Sequence, residues 1–152
     1  MPGQLPMAFK GGTSLSKVFR VIDRFSEDID ITLDYRGLVA GADPFAAGLS
    51  GRQLRKLSEE LKAFVKAHVT NTVKPWLAAQ LSGRSYALEL SDDGEQLRLY
   101  YPSALTGRGD YLRDSVLLEF GGRNITEPNE RHIVSPDITT GLDDLVFPEA
   151  TV

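Results

Sequence analysis

The sequence predicts an α+β fold, a mixed β-sheet with helices packed mainly on one face, and three observations lead to it. Apolar residues alternate with period two through Ser26 to Leu33, which marks a half-buried strand. They recur at helical spacing from about Gln53 to Thr72, which marks one long amphipathic helix. The order of elements is strand, helix, strand, long helix and then antiparallel strands, which is an α+β order. A chain of 152 residues is the size of one domain, and folding is expected to bury roughly 70% of the surface its unfolded form exposes.

Met7 to Lys10 reads as the end of a short strand running into a Gly11-Gly12 turn. Thr13 or Ser14 is then expected to cap a helix reaching about Phe25. On that helix Leu15, Val18, Phe19, Ile22 and Phe25 share a packing face, while Lys17, Arg20 and Arg24 share the opposite one. In the next strand Ile29, Ile31 and Leu33 fall on one face, and Asp28, Asp30 and Thr32 on the other. Asp34 to Arg52, with four glycines and a proline, reads as a loop. Leu54, Leu57, Leu61, Phe64, Val65 and His68 or Val69 then form the stripe of the long helix, which Pro75 is expected to interrupt before a short helix at Trp76 to Leu81. Ser85 to Leu90 and Gln96 to Tyr101 flank the turn-rich Ser91 to Gly94 and predict a hairpin. Asp110 to Phe120 predicts a further strand, and one more is expected near Ile133 in a polar, proline-punctuated tail.

Composition narrows the function classes. With 41% hydrophobic and 25% charged residues the chain has a globular composition, and its apolar runs are too short to span a bilayer. Met1 to Met7 has neither a basic segment nor an apolar one, so a cytoplasmic location is expected. The absence of cysteine excludes disulfides and thiolate metal sites. A net charge of −4 gives no bulk attraction for a polyanion, so any nucleic-acid contact must be local. No Gly-x-Ser-x-Gly elbow, Walker loop or zinc pattern is present, and neither His68 nor His132 has a partner at ligand spacing. Trp76 is expected to anchor a core or an interface.

The chemistry lies in two motifs in a fixed order: Phe9-Lys10-Gly11-Gly12-Thr13-Ser14-Leu15-Ser16-Lys17, then Arg24-Phe25-Ser26-Glu27-Asp28-Ile29-Asp30-Ile31. A Gly-Gly turn lets backbone amides approach a phosphate with no Cβ in the way, and a helix opening there adds free N–H groups. Lys17, early in that helix, is poorly placed for the helix dipole but well placed for a bound phosphate. Aspartates at i and i+2 of a strand point the same way, which suits two cations about 3.5–4 Å apart. Without a metal two such carboxylates would repel; magnesium relieves that repulsion and bridges triphosphate oxygens. Taken alone, a Gly-Gly pair is more often a plain turn and Asp-x-Asp a solvated strand face; the helix between them favours the joint reading.

These two motifs closely resemble those of the AbiEii-type nucleotidyltransferase toxins, a bacterial branch of the DNA-polymerase-beta-like superfamily, over Phe9 to Asp34. The resemblance implies a nucleotidyltransferase fold and Mg2+-dependent transfer of a nucleotide from an NTP to an RNA (tRNA-like) or protein acceptor. It further implies a DNA-binding antitoxin as partner. By the motif, function carries to Gly11, Gly12, Thr13, Lys17, Asp28 and Asp30. Ser14, Arg24 and Ser26 complete the expected nucleotide-binding set, with Arg24 alternatively bracing the Asp strand and Ser26 offering a phosphorylation site beside the carboxylates. The superfamily draws a third metal carboxylate from a later strand. Glu119 is the choice, because a lone charge inside Val116 to Phe120 is costly unless it meets a cation; Glu89 is the competitor.

The resemblance implies a further C-terminal helical region that these residues lack, so the chain is expected to be a single, truncated core domain prone to dimerise. Two other functions stay open at this point: a domain that binds nucleotide without turnover, and an interaction module for an antitoxin.

Overall fold

The computed structural model describes residues 5–22, 28–34, 36, 47–102, 114–123, 132–134 and 150–151. Five strands form one sheet: β1 (Met7–Lys10), β2 (Asp28–Asp34), β3 (Ala87–Leu90), β4 (Gln96–Tyr100) and β5 (Ser115–Arg123). Their spatial order is β1-β2-β5-β4-β3. β2 and β5 run parallel and every other pair is antiparallel, so the sheet is mixed, as the order of elements predicts. A separate ribbon pairs β6 (Ile133–Val134), expected from the sequence, with β7 (Ala150–Thr151), which was not.

The alternation along β2 sets the two faces of the sheet. Ile29, Ile31 and Leu33 pack with Phe9, Leu97, Leu118 and Phe120 against the long helix, while Asp28, Asp30, Thr32 and Asp34 point to the other face. The helix α2 (Gly51–His68) starts two residues before the sequence expectation because Ser50 caps it. The Ser50 side chain accepts from the Gln53 amide, and the Gln53 side chain accepts from the Ser50 amide.

Pro75 does not interrupt this helix. A π-helical turn over Val69–Val73 joins α2 directly to α3 (Lys74–Gln80). Proline lacks an N–H and crowds the carbonyl four residues back, here Asn71, and a widened turn at that point relieves both demands. The same turn explains the buried stripe Leu61, Val65, Val69, Val73 and Leu77. Residues four apart drift by about 40° per step in a regular α-helix, and the wide turn winds the stripe back onto the sheet.

Helix α1 (Gly11–Lys17) is shorter than expected and is not capped by Thr13 or Ser14. It begins at Gly11 with Lys10 in the capping position. The Ser14 hydroxyl donates to the Gly11 carbonyl and the Ser16 hydroxyl to the Thr13 carbonyl, local bonds that compete with the helical ladder. The amides of Val18 and Phe19 both bond the Ser14 carbonyl, and Arg20 turns the chain out in a left-handed conformation, φ 51°. Leu15 and Phe19 consequently stay exposed, at 43% and 59%, instead of forming a packing face. Trp76 is also a surface residue, 39% exposed, and not a core anchor.

The hairpin β3–β4 forms where the turn residues predict it. Asp93 Oδ1 accepts from the Ser91 hydroxyl and the Glu95 amide, and Gly94 turns at φ 76° while pressed against Lys66 of α2. The Lys66 ammonium donates to the Asp92 carbonyl, which fastens the hairpin tip to the long helix.

Candidate active site

The two sequence motifs meet on the polar face of the sheet. The Thr13 hydroxyl donates to the backbone carbonyl of Asp28 at 2.9 Å, so α1 is tied to the strand that follows it. Gly11 takes a left-handed φ of 63°, and a Cβ built on it would stand 2.6 Å from Asp30 Oδ2. Only glycine satisfies both conditions, and its turn is therefore seated directly on the Asp30 carboxylate. Gly12 faces open space.

Strand register brings the third carboxylate to the same level. Asp30 is the Cα partner of Glu119 on β5, and neighbouring strands lie about 4.8 Å apart. Glu119 in turn opposes Gln96 on β4, whose side-chain amide donates to Glu119 Oε1 at 2.7 Å. On the other flank Lys10 of β1 opposes Asp30. Lys10, Asp30, Glu119 and Gln96 thus form one row across four strands. The competing Glu89 sits on the edge strand β3, two strands beyond β5, where the Tyr100 hydroxyl donates to it at 2.8 Å.

A cleft of about 370 Å³ opens at this row, lined by Lys10, Asp30, Gln96 and Glu119 together with Lys62, Val65, Gly121 and Gly122. It exists because β5 outruns β4. Gln96, the first residue of β4, pairs with Glu119, and beyond that point the Phe120 amide bonds the Glu95 carbonyl of the hairpin tip. Gly121 and Gly122 then carry the strand onward without side chains, so the cleft reaches from the carboxylate face round to α2.

Asp28 is exposed, one alternation along β2 from Asp30, and neither it nor Lys17 lines the cleft. Arg24 and Ser26 lie outside the described residues. His68 and His132 stand away from the cleft; the His132 ring packs edge-on to Phe19 at 5.9 Å.

Among the described residues no three carboxylate or imidazole groups form a closed cation cage. Magnesium does not require one: it is held by one or two carboxylates and takes its remaining oxygens from water and substrate phosphates. Asp30 and Glu119, with Asp28 beside them, supply hard oxygen donors next to a glycine turn whose Gly12 faces open space, and this donor set fits a divalent cation of that kind.

The family model for the nucleotidyl transferase AbiEii toxin of type IV toxin–antitoxin systems matches residues 2–152. The chain belongs to that family. The match runs far beyond the stretch Phe9 to Asp34 that carries the recognisable motifs. No curated protein and no solved structure matches the chain. As a member of the AbiEii family it is a nucleotidyltransferase-type toxin domain, and no helix among the described residues is long and apolar enough to cross a membrane. Among the residues of the AbiEii cleft that escape sequence reasoning are Lys10, Gln96 and Gly121. The first had a legible signal, since period-two alternation in β1 already puts Lys10 on the polar face. The other two depend on which strands become neighbours.

Proposed function

We propose that this chain is a magnesium-dependent nucleotidyltransferase that moves a nucleotide from an NTP to a hydroxyl of an RNA or protein acceptor, acting as the toxin of a toxin–antitoxin pair. The observation that carries this reading is the seating of Gly11 on the Asp30 carboxylate, with Glu119 in register beside it. The Gly11 turn and two carboxylates 89 residues apart in sequence, Asp30 and Glu119, are thereby adjacent in space.

In this reading the amides of Gly11 and Gly12 bind phosphate oxygens, and Gly12, with open space where a Cβ would stand, lets those oxygens come close. Asp30, Glu119 and Asp28 hold magnesium. Gln96 fixes the rotamer of Glu119 through its 2.7 Å hydrogen bond, so the carboxylate is oriented before substrate arrives. Lys17, expected early in its helix, is instead the last residue of α1, at the opposite end from Gly11 and outside the cleft, and has no phosphate contact in this reading. Bound magnesium would neutralise charge on the triphosphate and favour ionisation of the acceptor hydroxyl. The acceptor oxygen forms a bond to the α-phosphorus, the bond from that phosphorus to the bridging oxygen breaks, and pyrophosphate leaves; the hydroxyl proton passes to solvent.

Calorimetric titration of each NTP with magnesium into the wild type and an Asp28→Ala, Asp30→Ala double variant tests the site. Magnesium-dependent binding that vanishes in the variant supports it, and a folded wild type that binds no NTP refutes it. Incubation with α-labelled NTP and total RNA or protein then separates an enzyme, which transfers label, from a domain that only binds.

A further inference from the structure

The cleft carries two lysines without a role so far, the exposed Lys62 of α2 and the half-buried Lys10 of β1, and Lys10 is the one beside the carboxylates. Lys10 is half-buried on β1, directly opposite Asp30, yet its ammonium forms no hydrogen bond or ion pair with any described residue. Its side chain reaches past Asp30 to β5, where Nζ stands 3.7 Å from the position a Cβ on Gly121 would take. Glycine at 121 therefore leaves free the space beside the ammonium. That space adjoins both Asp30 and Glu119, and Glu119 is already engaged on its far side by Gln96.

A lysine placed only to balance two carboxylates would close on one of them, because a partly buried unpaired charge is costly. Lys10 closes on neither. Three carboxylates and a triphosphate also bring together more negative charge than bound divalent cations cancel, so a fixed positive charge at this point favours polyphosphate.

We infer that Lys10 is a triphosphate-binding residue whose ammonium contacts a phosphate oxygen of the NTP over Gly121; the inference rests on the nucleotidyltransferase reading of this cleft and adds a cation to it. The chemistry recognised is the polyphosphate chain and not the base, so all four NTPs and inorganic triphosphate depend on Lys10 alike.

The test compares wild type, Lys10→Met and Lys10→Arg by calorimetry, with two probes: magnesium plus inorganic triphosphate or a non-hydrolysable NTP, and Mn2+ alone. Loss of one charge-assisted hydrogen bond lowers affinity by about ten- to a hundredfold, so Lys10→Met should bind polyphosphate more weakly by that factor and Lys10→Arg should recover most of it. Mn2+ alone should bind Lys10→Met as well as wild type or better, since a cation has been removed from beside the carboxylates. A merely structural lysine gives another pattern, with Mn2+ and polyphosphate affinity falling together, and that result overturns the inference. So does unchanged polyphosphate binding in Lys10→Met when the Asp28→Ala, Asp30→Ala variant has lost it; there the site survives and only Lys10 is misassigned. A wild type that binds no polyphosphate overturns both. Should Lys10→Met fail to fold, Lys10→Gln carries the same comparison with a polar head suited to two carboxylate neighbours.

Discussion

Replacing Gly11 by alanine is the sharpest test of how the two motifs meet. The new Cβ would stand 2.6 Å from Asp30 Oδ2, closer than real Cβ contacts, and the backbone would be asked to keep φ at 63°. Holding an L-residue in the left-handed region costs about 1–2 kcal/mol. The narrowed unfolded state of alanine returns about 0.4–1 kcal/mol of that. Net destabilisation of about 1 kcal/mol corresponds to a melting shift of about 2–4 °C for a domain of this size. The clash falls on the end of a side chain, so Asp30 yields by rotating and the main effect is functional. A misplacement of about 1 Å at a reacting centre costs on the order of a hundredfold, and label transfer or Mn2+-dependent NTP binding should fall on that scale. Gly12→Ala is the control: nothing lies within 4 Å of its Cβ, and alanine is the better helix former by up to about 1 kcal/mol. Differential scanning calorimetry and NTP titration on the two variants make the comparison. Equal melting temperatures together with equal NTP affinities would show that the glycine turn does not rest on Asp30.

Other perturbations follow from the same geometry. Gly94→Ala, at φ 76° with its Cβ 2.8 Å from the backbone Cα of Lys66, should cost about 2–3 kcal/mol in urea unfolding, and more than Gly83→Ala, which has φ 81° but open space. Gln96→Leu removes the donor that orients Glu119 and should lower Mn2+ affinity about ten- to a hundredfold with little change in melting temperature; unaltered Mn2+ binding would take Glu119 out of the metal set. Stability should fall in two stages on acidification. Burial holds the His68 imidazole below its ordinary 6.5, so the folded state binds fewer protons than the unfolded chain and loses stability as pH drops below about 6.5. The hydrogen bond from the Arg36 side chain holds the Asp34 carboxyl below its ordinary 3.8, and the stability it contributes is lost as pH falls below that value. Urea midpoints from pH 8 to 3 should show both shoulders, and His68→Gln should abolish only the upper one.

What the sequence made legible is what local spacing controls. Period two in Ile29-Asp30-Ile31-Thr32-Leu33 placed the aspartates on one face and the core residues on the other, and the hairpin followed from Ser91 to Gly94. Competition between local bonds was not legible. The hydroxyls of Ser14 and Ser16 fold back on α1 and end it near Lys17, and the π-turn absorbs Pro75, both against a pattern that spacing alone would extend or break. Strand order was equally hidden, and most of the site hangs on it. Glu119 faces Asp30 only because β5 enters beside β2 in parallel, and Gln96 reaches Glu119 only because β4 then pairs on the other side. The cleft has the same origin: β4 stops pairing at Gln96 while β5 continues through two glycines, so a difference in strand length and not a motif creates the space beside the carboxylates. A larger residue at Gly121 would fill the space beside the Lys10 ammonium while leaving every motif residue in place. The recognisable motifs therefore specify the donors of this site, and the strand lengths specify whether a ligand can reach them.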